Sequence, residues 1–474
     1  MRPYALTLTL AALLVAGVAW AKVETWRQEG ATAFAKYHRQ RVVISDQGRV
    51  RLGQALVPTG PLAAERVWDM VRARDGTVYA ATGDGGKVFR QSTKEGAAWT
   101  IALDATDTQA LALAATPQGK VFVGTGPSGQ VIDLTDPQHA ASRPDPKVQY
   151  IWDLAADSEG NLLAATGPTG QLWKRSRVGK WSLVFDSKAT HLLCVAAADD
   201  GTIYAGSDGE GLIYRVGRDG KVSVVYDAPQ SEVRTLLLAP DGALYAGTAA
   251  ESGGAGGGRP PGMLSQDGFD RERPLADGVP ASSESRGLID ATGTYSSGPA
   301  QPPSRPSARP ASPKPPVAGS AAPKPVSPGD NAVYRIDADG VVREVFRSRT
   351  LVFALCWSDD RLLVGTGPDG QLYEVRDQGA ESTPLAKLDS GQILALLAEP
   401  GGGILLGTGD PGTVVRLSSG FVTQGELVSA VHDTKLLSRF GALSWRADLP
   451  SGTALGVQVR SGNVGEPDET WSAW

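Results

Sequence analysis

One unit constrains this chain more than anything else in it. Val67–Arg90, VWDMVRARDGTVYAATGDGGKVFR, reads as three short strands separated by tight turns, and it returns six more times. Aligned on the Thr or Ser that ends the second strand, the copies fall at Thr82, Thr125, Thr166, Ser207, Thr248, Thr366 and Thr408. Successive spacings are 43, 41, 41, 41, 118 and 42 residues, so the odd one is a period plus a long insertion. The strand reading rests on β-branched and aromatic runs such as TVYAAT, KVFVGT, TIYAGS and RLLVGT, bounded by Gly, Asp and Asn. No window from Val67 to Leu417 has an apolar period of 3.6 that would argue for a helix.

A period of roughly 40–45 residues made of several short strands marks the blades of a propeller. The first strand of each copy says how they pack. At one position stand Met70, Leu113, Leu154, Val195, Leu236, Leu355 and Leu396. The next position holds Val71, Ala114, Ala155, Ala196, Leu237, Cys356 and Leu397, mostly smaller. Successive strand residues point to opposite faces, so the bulky face of one sheet can fill the space beside the small face of the next. The expected fold is all-β: a seven-bladed β-propeller over residues 49–424, with a long disordered insertion in blade five and a short C-terminal β module.

Met1–Ala21 reads as a secretory signal peptide, with Arg2, the apolar run Ala5–Ala19 and Ala19-Trp20-Ala21 as a small-residue cleavage site. The run falls short of the ~20 residues a spanning helix needs. The expectation is a secreted or periplasmic protein with no transmembrane anchor after cleavage. A formal net charge of −5 over this length argues against a nucleic-acid partner. The only two cysteines, Cys194 and Cys356, sit in first strands of non-adjacent copies and read as small buried apolar residues.

Residues 22–48 form an N-terminal segment that ends in a hairpin around Asp46-Gln47-Gly48, and Arg49–Gly53 is expected to supply the outer strand of the last blade. The alternative for that place is Phe421–Gln424. Residues 250–330 are dominated by Gly, Ser, Ala and Pro, with eleven prolines from Pro299 to Pro328, and cannot bury enough apolar surface to fold. Arg305, Arg309, Lys314 and Lys324 give the end of this stretch a basic character. Residues 425–474 have strand and turn character at a different spacing, a partial β-sandwich-like module.

The copies resemble blades of the WD-repeat, NHL and YVTN-like propellers of exported bacterial proteins. The pieces that carry the resemblance are Asp75-Gly76 and Asp241-Gly242 at the first turn, with Gly124–Gly129, Gly365–Gly370 and Gly407–Gly412 at the second. The Gly-His and Trp-Asp pair of WD blade ends is absent, so the resemblance is to the broad class. The tail VRSGNVGEPDETWSAW looks like the opening of a β-sandwich module that follows such propellers. The resemblance implies a binding or scaffolding role and no particular reaction.

Several motifs invite chemistry and are better read as turns. Gly124-Thr125-Gly126-Pro127-Ser128-Gly129 matches a dinucleotide fingerprint, but that motif needs a helix after it, and QVIDL is a strand. Asp199-Asp200-Gly201 and Asp337-Ala338-Asp339-Gly340 lack the later ligands of a calcium loop. The four histidines, His38, His139, His191 and His432, have no partner at zinc spacing, so no metal and no cofactor are expected. A triad of Ser187 and His191 would need alignment in space that sequence alone does not supply.

The expected site is the channel mouth. Loops from each outer strand to the next inner strand bring Asp104, Asp107, Asp186, Asp227, Glu232 and Asp389 to one face, with Trp68, Trp152, Arg234 and Phe353 at strand starts and His191 beside them. Acids and aromatics around a mouth suit a protein, peptide or cell-wall glycan. The favoured function is a non-enzymatic exported binding or scaffolding module. A propeller lyase or lactonase using a metal or acids at the mouth, and a sensor domain of a longer receptor, are the alternatives.

Overall fold

A computed structural model describes residues 24–250 and 330–474, except 84, 95, 106–108, 436 and 437. The expected leader, nearly all of the expected insertion 250–330, and Asp107 lie outside the described residues. The chain divides into two units, residues 1–252 with 329–474, and residues 253–328. Only the first is described.

Its strands follow the repeat. Ahead of it come β1 (His38–Gln40), β2 (Val42–Ile44), β3 (Val50–Leu52) and β4 (Gln54–Pro58). The first copy is Ala64–Arg72, Val78–Thr82, Lys87–Gln91 and Thr100–Asp104 (β5–β8); the second is Gln109–Ala115, Val121–Gly126, Val131–Asp133 and Ala141–Ser142 (β9–β12). Tyr150–Ala156, Leu162–Gly167, Gln171–Arg175 and Trp181–Asp186 form β13–β16. Leu192–Ala197, Ile203–Ser207, Leu212–Val216 and Val222–Asp227 form β17–β20. The fifth copy is Val233–Leu238, Leu244–Thr248, Asn331–Ile336 and Val342–Ser348 (β21–β24), the sixth Leu351–Ser358, Arg361–Gly367, Gln371–Arg376 and Glu381–Lys387 (β25–β28). Gln392–Ala398, Ile404–Gly412 and Val414–Phe421 (β29–β31) begin the last, and β32 (Glu426–Val428) pairs with β1. Copies two to six are four-stranded antiparallel sheets in chain order; the first and last are joined through β30 and β5. Among the described residues the only helical turns are two 3₁₀ pieces, Ala31–Phe34 and Asp377–Gly379.

The expected alternation of bulk is the packing rule of the structure. Met70 packs with Leu405 and Val414 of the last sheet, Leu113 with Tyr79 and Val88 of the first, and Leu154 with Phe122 and Val131 of the second. The smaller partners face the other way: Ala114 packs toward Ile151 and Leu154, and Cys356 toward Ile393 and Leu406. At the inner end of each interface a residue of the first strand, among them Val67, Ile151, Val233, Val352 and Ile393, is wholly buried. It seats against a small residue of the preceding sheet. A Cβ on Gly124 would lie 2.4 Å from Ile151, and one on Gly365 2.8 Å from Ile393. The last sheet meets the first by the same contact, Gly407 against Val67 at 2.8 Å. Each apolar cluster therefore spans two consecutive sheets, and one of them spans the last and the first.

The N-terminal segment seals this junction one step later than the sequence suggests. The expected closing strand, Arg49–Gly53, is instead the return arm of a hairpin, Val42–Ile44 against Val50–Leu52. The outer strand on β31 is Gln54–Pro58, with Leu56 opposite Leu417 and Pro58 opposite Val415. Phe421 extends β31 and faces Gln54, so the alternative closure through Phe421–Gln424 is not used either. The reason lies in Arg51. Its guanidinium reaches Glu374 at 2.5 Å, a carboxylate 2% exposed that also takes Arg361 at 2.6 Å and Arg376 at 2.8 Å. Asp46 adds bonds to Ser382: its amide donates to the Ser382 carbonyl, and its carboxylate accepts from Ser382 N and Oγ. These contacts hold the hairpin on the sixth sheet while the next residues run up the seventh. Beyond β32, described residues 429–474 contain no strand, and Phe440, Trp445 and Trp474 are exposed.

Two tests follow from these contacts. Burial raises the Glu374 carboxyl, but Arg376, Arg361 and Arg51 outweigh it and hold it below the usual range. A depressed carboxylate contributes stability above its unfolded pKa and loses it as pH falls. Glu374→Gln should cost about 3 kcal/mol at pH 7, by leaving buried guanidinium charge uncompensated, and should shrink the loss of melting temperature on acidification. Thermal melts of both proteins at pH 7 and pH 4 measure this. Gly407→Val should cost about 1–3 kcal/mol by overpacking the first–last interface, and Val67→Ala in the same chain should recover much of that. A double-mutant melt with no recovery would place the strain elsewhere.

Candidate functional site

The inner strands β5, β9, β13, β17, β21, β25 and β29 all carry the same irregularity. Pairing with the second strand skips one residue: Val67 and Asp69 face Thr82 and Ala81, leaving Trp68 unpaired. Equivalent skips free Trp152, Leu193, Arg234, Phe353 and Leu394, and Leu111 stands in the same position of β9. A bulge turns its extra side chain out of the ladder. Here all seven extra side chains line one cavity of about 160 Å³, surrounded by the seven inner strands. The site is built by one backbone device used once per strand.

Trp152 is its best-fixed member. It stacks on Tyr150 (centroids 4.8 Å, planes 12° apart), and its indole Nε1 donates to His191 Nδ1 at 2.8 Å. The His191 amide donates to Asp208 Oδ1 at 2.9 Å. Burial lowers the His191 pKa, and the Arg234 charge adds to this while Asp208 opposes it. The neutral ring suits its role as acceptor. The Arg234 guanidinium lies 6.0 Å from the centre of the Trp152 ring, within range of a cation–π contact. Trp68 on the first inner strand has a buried Nε1 with no acceptor.

Two carboxylates that the sequence reading passed over complete the wall. Asp69 accepts from Met70 N and from Leu113 N of the next inner strand, both at 2.7 Å. Asp153 does the same for Leu154 N and Val195 N, at 2.8 Å each. Each is a bridge between neighbouring sheets immediately below the bulge. Burial pushes both carboxyls up to about 7, with the Asp69 charge adding to the effect on Asp153. The signal was visible, since Trp68-Asp69 and Trp152-Asp153 are the same dipeptide at the same place in two copies.

Of the expected site residues, Trp68, Trp152, Arg234 and Phe353 line the cavity, and His191 backs it through Trp152. Glu232 is buried two residues before Arg234. The remaining described aspartates of the set stand at or beyond outer-strand ends. Asp104, Asp186 and Asp227 end outer strands, opposite Lys87, Gln171 and Leu212, with two further strands between them and the channel. Asp389 is exposed just after the outer strand β28. Strands lie ≈ 4.8 Å apart, which puts such positions roughly 14 Å out along the sheet. Ser187 Oγ donates to the Gly170 carbonyl at 2.6 Å, so no Ser187–His191 pair forms. The Gly-rich motifs are turns before strands: Gly129 has φ +60°, and a Cβ there would lie 2.5 Å from the Val148 carbonyl oxygen. Both cysteines are buried and free. Among the described residues no cluster of three or more His, Cys, Asp or Glu could hold a metal, and no helix is long and apolar enough to cross a membrane.

No protein-family model matches the chain, and no curated protein matches it. Solved structures do. A streptogramin B lyase superposes with TM-score 0.53 at 10% identity, over 77% of this chain and 98% of the other. A virginiamycin B lyase from Staphylococcus aureus gives 0.51 at 10% identity, over 76% and 98%. The WD40 propeller domain of Doa1 gives 0.48 at 12% identity, over 77% and 96%. At such identities the likeness is one of fold. The chain has the β-propeller fold.

The bridging carboxylates make a pH prediction. A carboxyl whose folded pKa is raised contributes stability that is full below its unfolded value, near 4, and is lost as pH rises through about 7. Asp153→Asn should therefore flatten the fall in melting temperature between pH 5 and pH 8. It should also lose about 1–3 kcal/mol at pH 5, because an amide nitrogen cannot accept the second backbone N–H. Melts of wild type and variant across that range check both.

Proposed function

We infer that this chain is a non-enzymatic, seven-bladed propeller that binds a protein, peptide or glycan segment at its channel mouth. The observation that carries the reading is the convergence of seven bulged side chains on one cavity, with Trp68, Trp152, Phe353 and Arg234 among them. Flat aromatic faces beside a cation give a recognition surface for a planar or apolar group carrying negative charge. Seven inner strands around that cavity support the blade count. The leader-like Met1–Ala21 supports export to the periplasm or beyond.

A lyase or lactonase is the competing reading. It calls for acids gathered at the mouth, whereas Asp104, Asp186, Asp227 and Asp389 stand at or beyond outer-strand ends. Asp69 and Asp153, the acids of the wall, have both oxygens committed to backbone amides.

Arrays of peptides and glycans probed with wild type, Trp152→Ala and Arg234→Ala test the site. Binders of the wild type should weaken roughly thirtyfold in Trp152→Ala, the loss of a hot-spot aromatic, and should depend on Arg234 when the probe is anionic. If every wild-type binder keeps its affinity in both variants, the mouth is not the site.

A further inference from the structure

At the opposite end of the strands, between the second and third sheets, lies a second cavity of about 110 Å³. Its peculiarity is Arg175. In four copies a third-strand residue faces the second-strand residue four places before the closing Thr or Ser: Val216 faces Ile203, Ile336 Leu244, Val375 Leu362 and Leu417 Ile404. All four are buried apolar side chains. In the first copy the place is taken by Gln91, whose amide donates to the carbonyls of Thr59 and Ala97. Arg175 occupies it opposite Leu162. A cation stands where sibling sheets put core.

The surroundings do not neutralise it. The Arg175 guanidinium lies 5.2 Å from the centre of the Phe122 ring, and its Nε is buried with no acceptor. The acids nearby are committed: Asp133 to Lys120 at 2.8 Å, Asp157 to Lys174 at 2.9 Å. Glu159 accepts from Asn161 Nδ2. Lys120 and Arg177 also line the cavity, as do Thr116 and Ser176. Those two hydroxyl oxygens accept from Lys120 N and Lys180 N, and each keeps an O–H to donate. A fork of guanidinium donors, a second arginine and two hydroxyls around a small space, with the Lys120 ammonium shared with Asp133, match a tetrahedral oxyanion.

We propose that the cleft between the second and third sheets, centred on Arg175, binds a phosphate or sulfate group, free or as a monoester. The bound group supplies the counter-charge that the surroundings deny the Arg175 guanidinium. This site is independent of the channel mouth, at the other end of the strands.

The test is titration calorimetry of the full chain with inorganic phosphate, inorganic sulfate and methyl phosphate, at constant ionic strength set with sodium chloride. Wild type should bind at least one of them saturably. Arg175→Val restores the residue type of the sibling sheets, so it should fold with an unchanged or higher melting temperature while losing about tenfold or more in affinity. Arg177→Ala should weaken binding, and Arg218→Ala, on an exposed turn of the fourth copy, should leave it unchanged. Methyl phosphate binding as well as phosphate assigns the site to a group carried on a larger molecule; binding of the inorganic ion alone assigns it to free oxyanion. No saturable binding by wild type, or equal binding by a folded Arg175→Val, overturns the proposal.

Discussion

The structure depends on one contact repeated around a ring: a buried apolar residue at the inner end of each first strand, branched in every copy but the second, where it is Ala110, pressed against a small residue of the sheet before it. Val67, Ile151, Val233, Val352 and Ile393 are fully buried in this role. Gly407, Gly124, Gly206, Gly247 and Gly365 are their counterparts, each too close to accept a Cβ without displacement. A four-stranded antiparallel sheet with two apolar faces has no stable existence alone, and here each face is covered by the next copy of the same thing. The Val67–Gly407 contact uses the same chemistry as the others, so the last interface needs no special residues. What it does need is a strand, and the segment before the first copy supplies it.

The channel mouth is a by-product of the same geometry. Because the bulge lifts one side chain per inner strand out of the ladder, that position is released from the demands of inter-sheet packing. The neighbours on either side, the buried branched residue and the bridging or small residue, stay under those demands. This is why the bulge position holds Trp, Leu, Arg and Phe while the residue before it is always apolar. Asp69 and Asp153 show the reverse case, in which polar groups serve the ring itself by tying adjacent inner strands at their amides.

How much of this could be read from the residues depends on which direction in space the information concerned. The strands, their faces and their stacking were legible, because alternation and period are one-dimensional patterns; so were the aromatics and Arg234 at the strand starts. Radial distance was not. Asp104 and Trp68 both sit beside the loops of one face, and nothing in their sequence neighbourhoods says that one ends an outer strand and the other opens an inner one. The closing strand was misplaced by a single segment because the pull of Arg51 on Glu374 acts between residues more than 300 positions apart. Arg175 was within reach, since aligning third strands would have set it against Val216, Ile336, Val375 and Leu417.

The pairing of Gln54–Pro58 with Val414–Phe421 has a consequence for how the chain is made. A ribosome delivers the first of these segments hundreds of residues before the second, so the outer strand must wait, unmated, while every intervening sheet is synthesised. During that interval the first sheet presents the flank that Gly407 and Leu405 will later cover. Completion is thus an event of very long sequence separation, slow by the measure of contact order and exposed to self-association until it occurs.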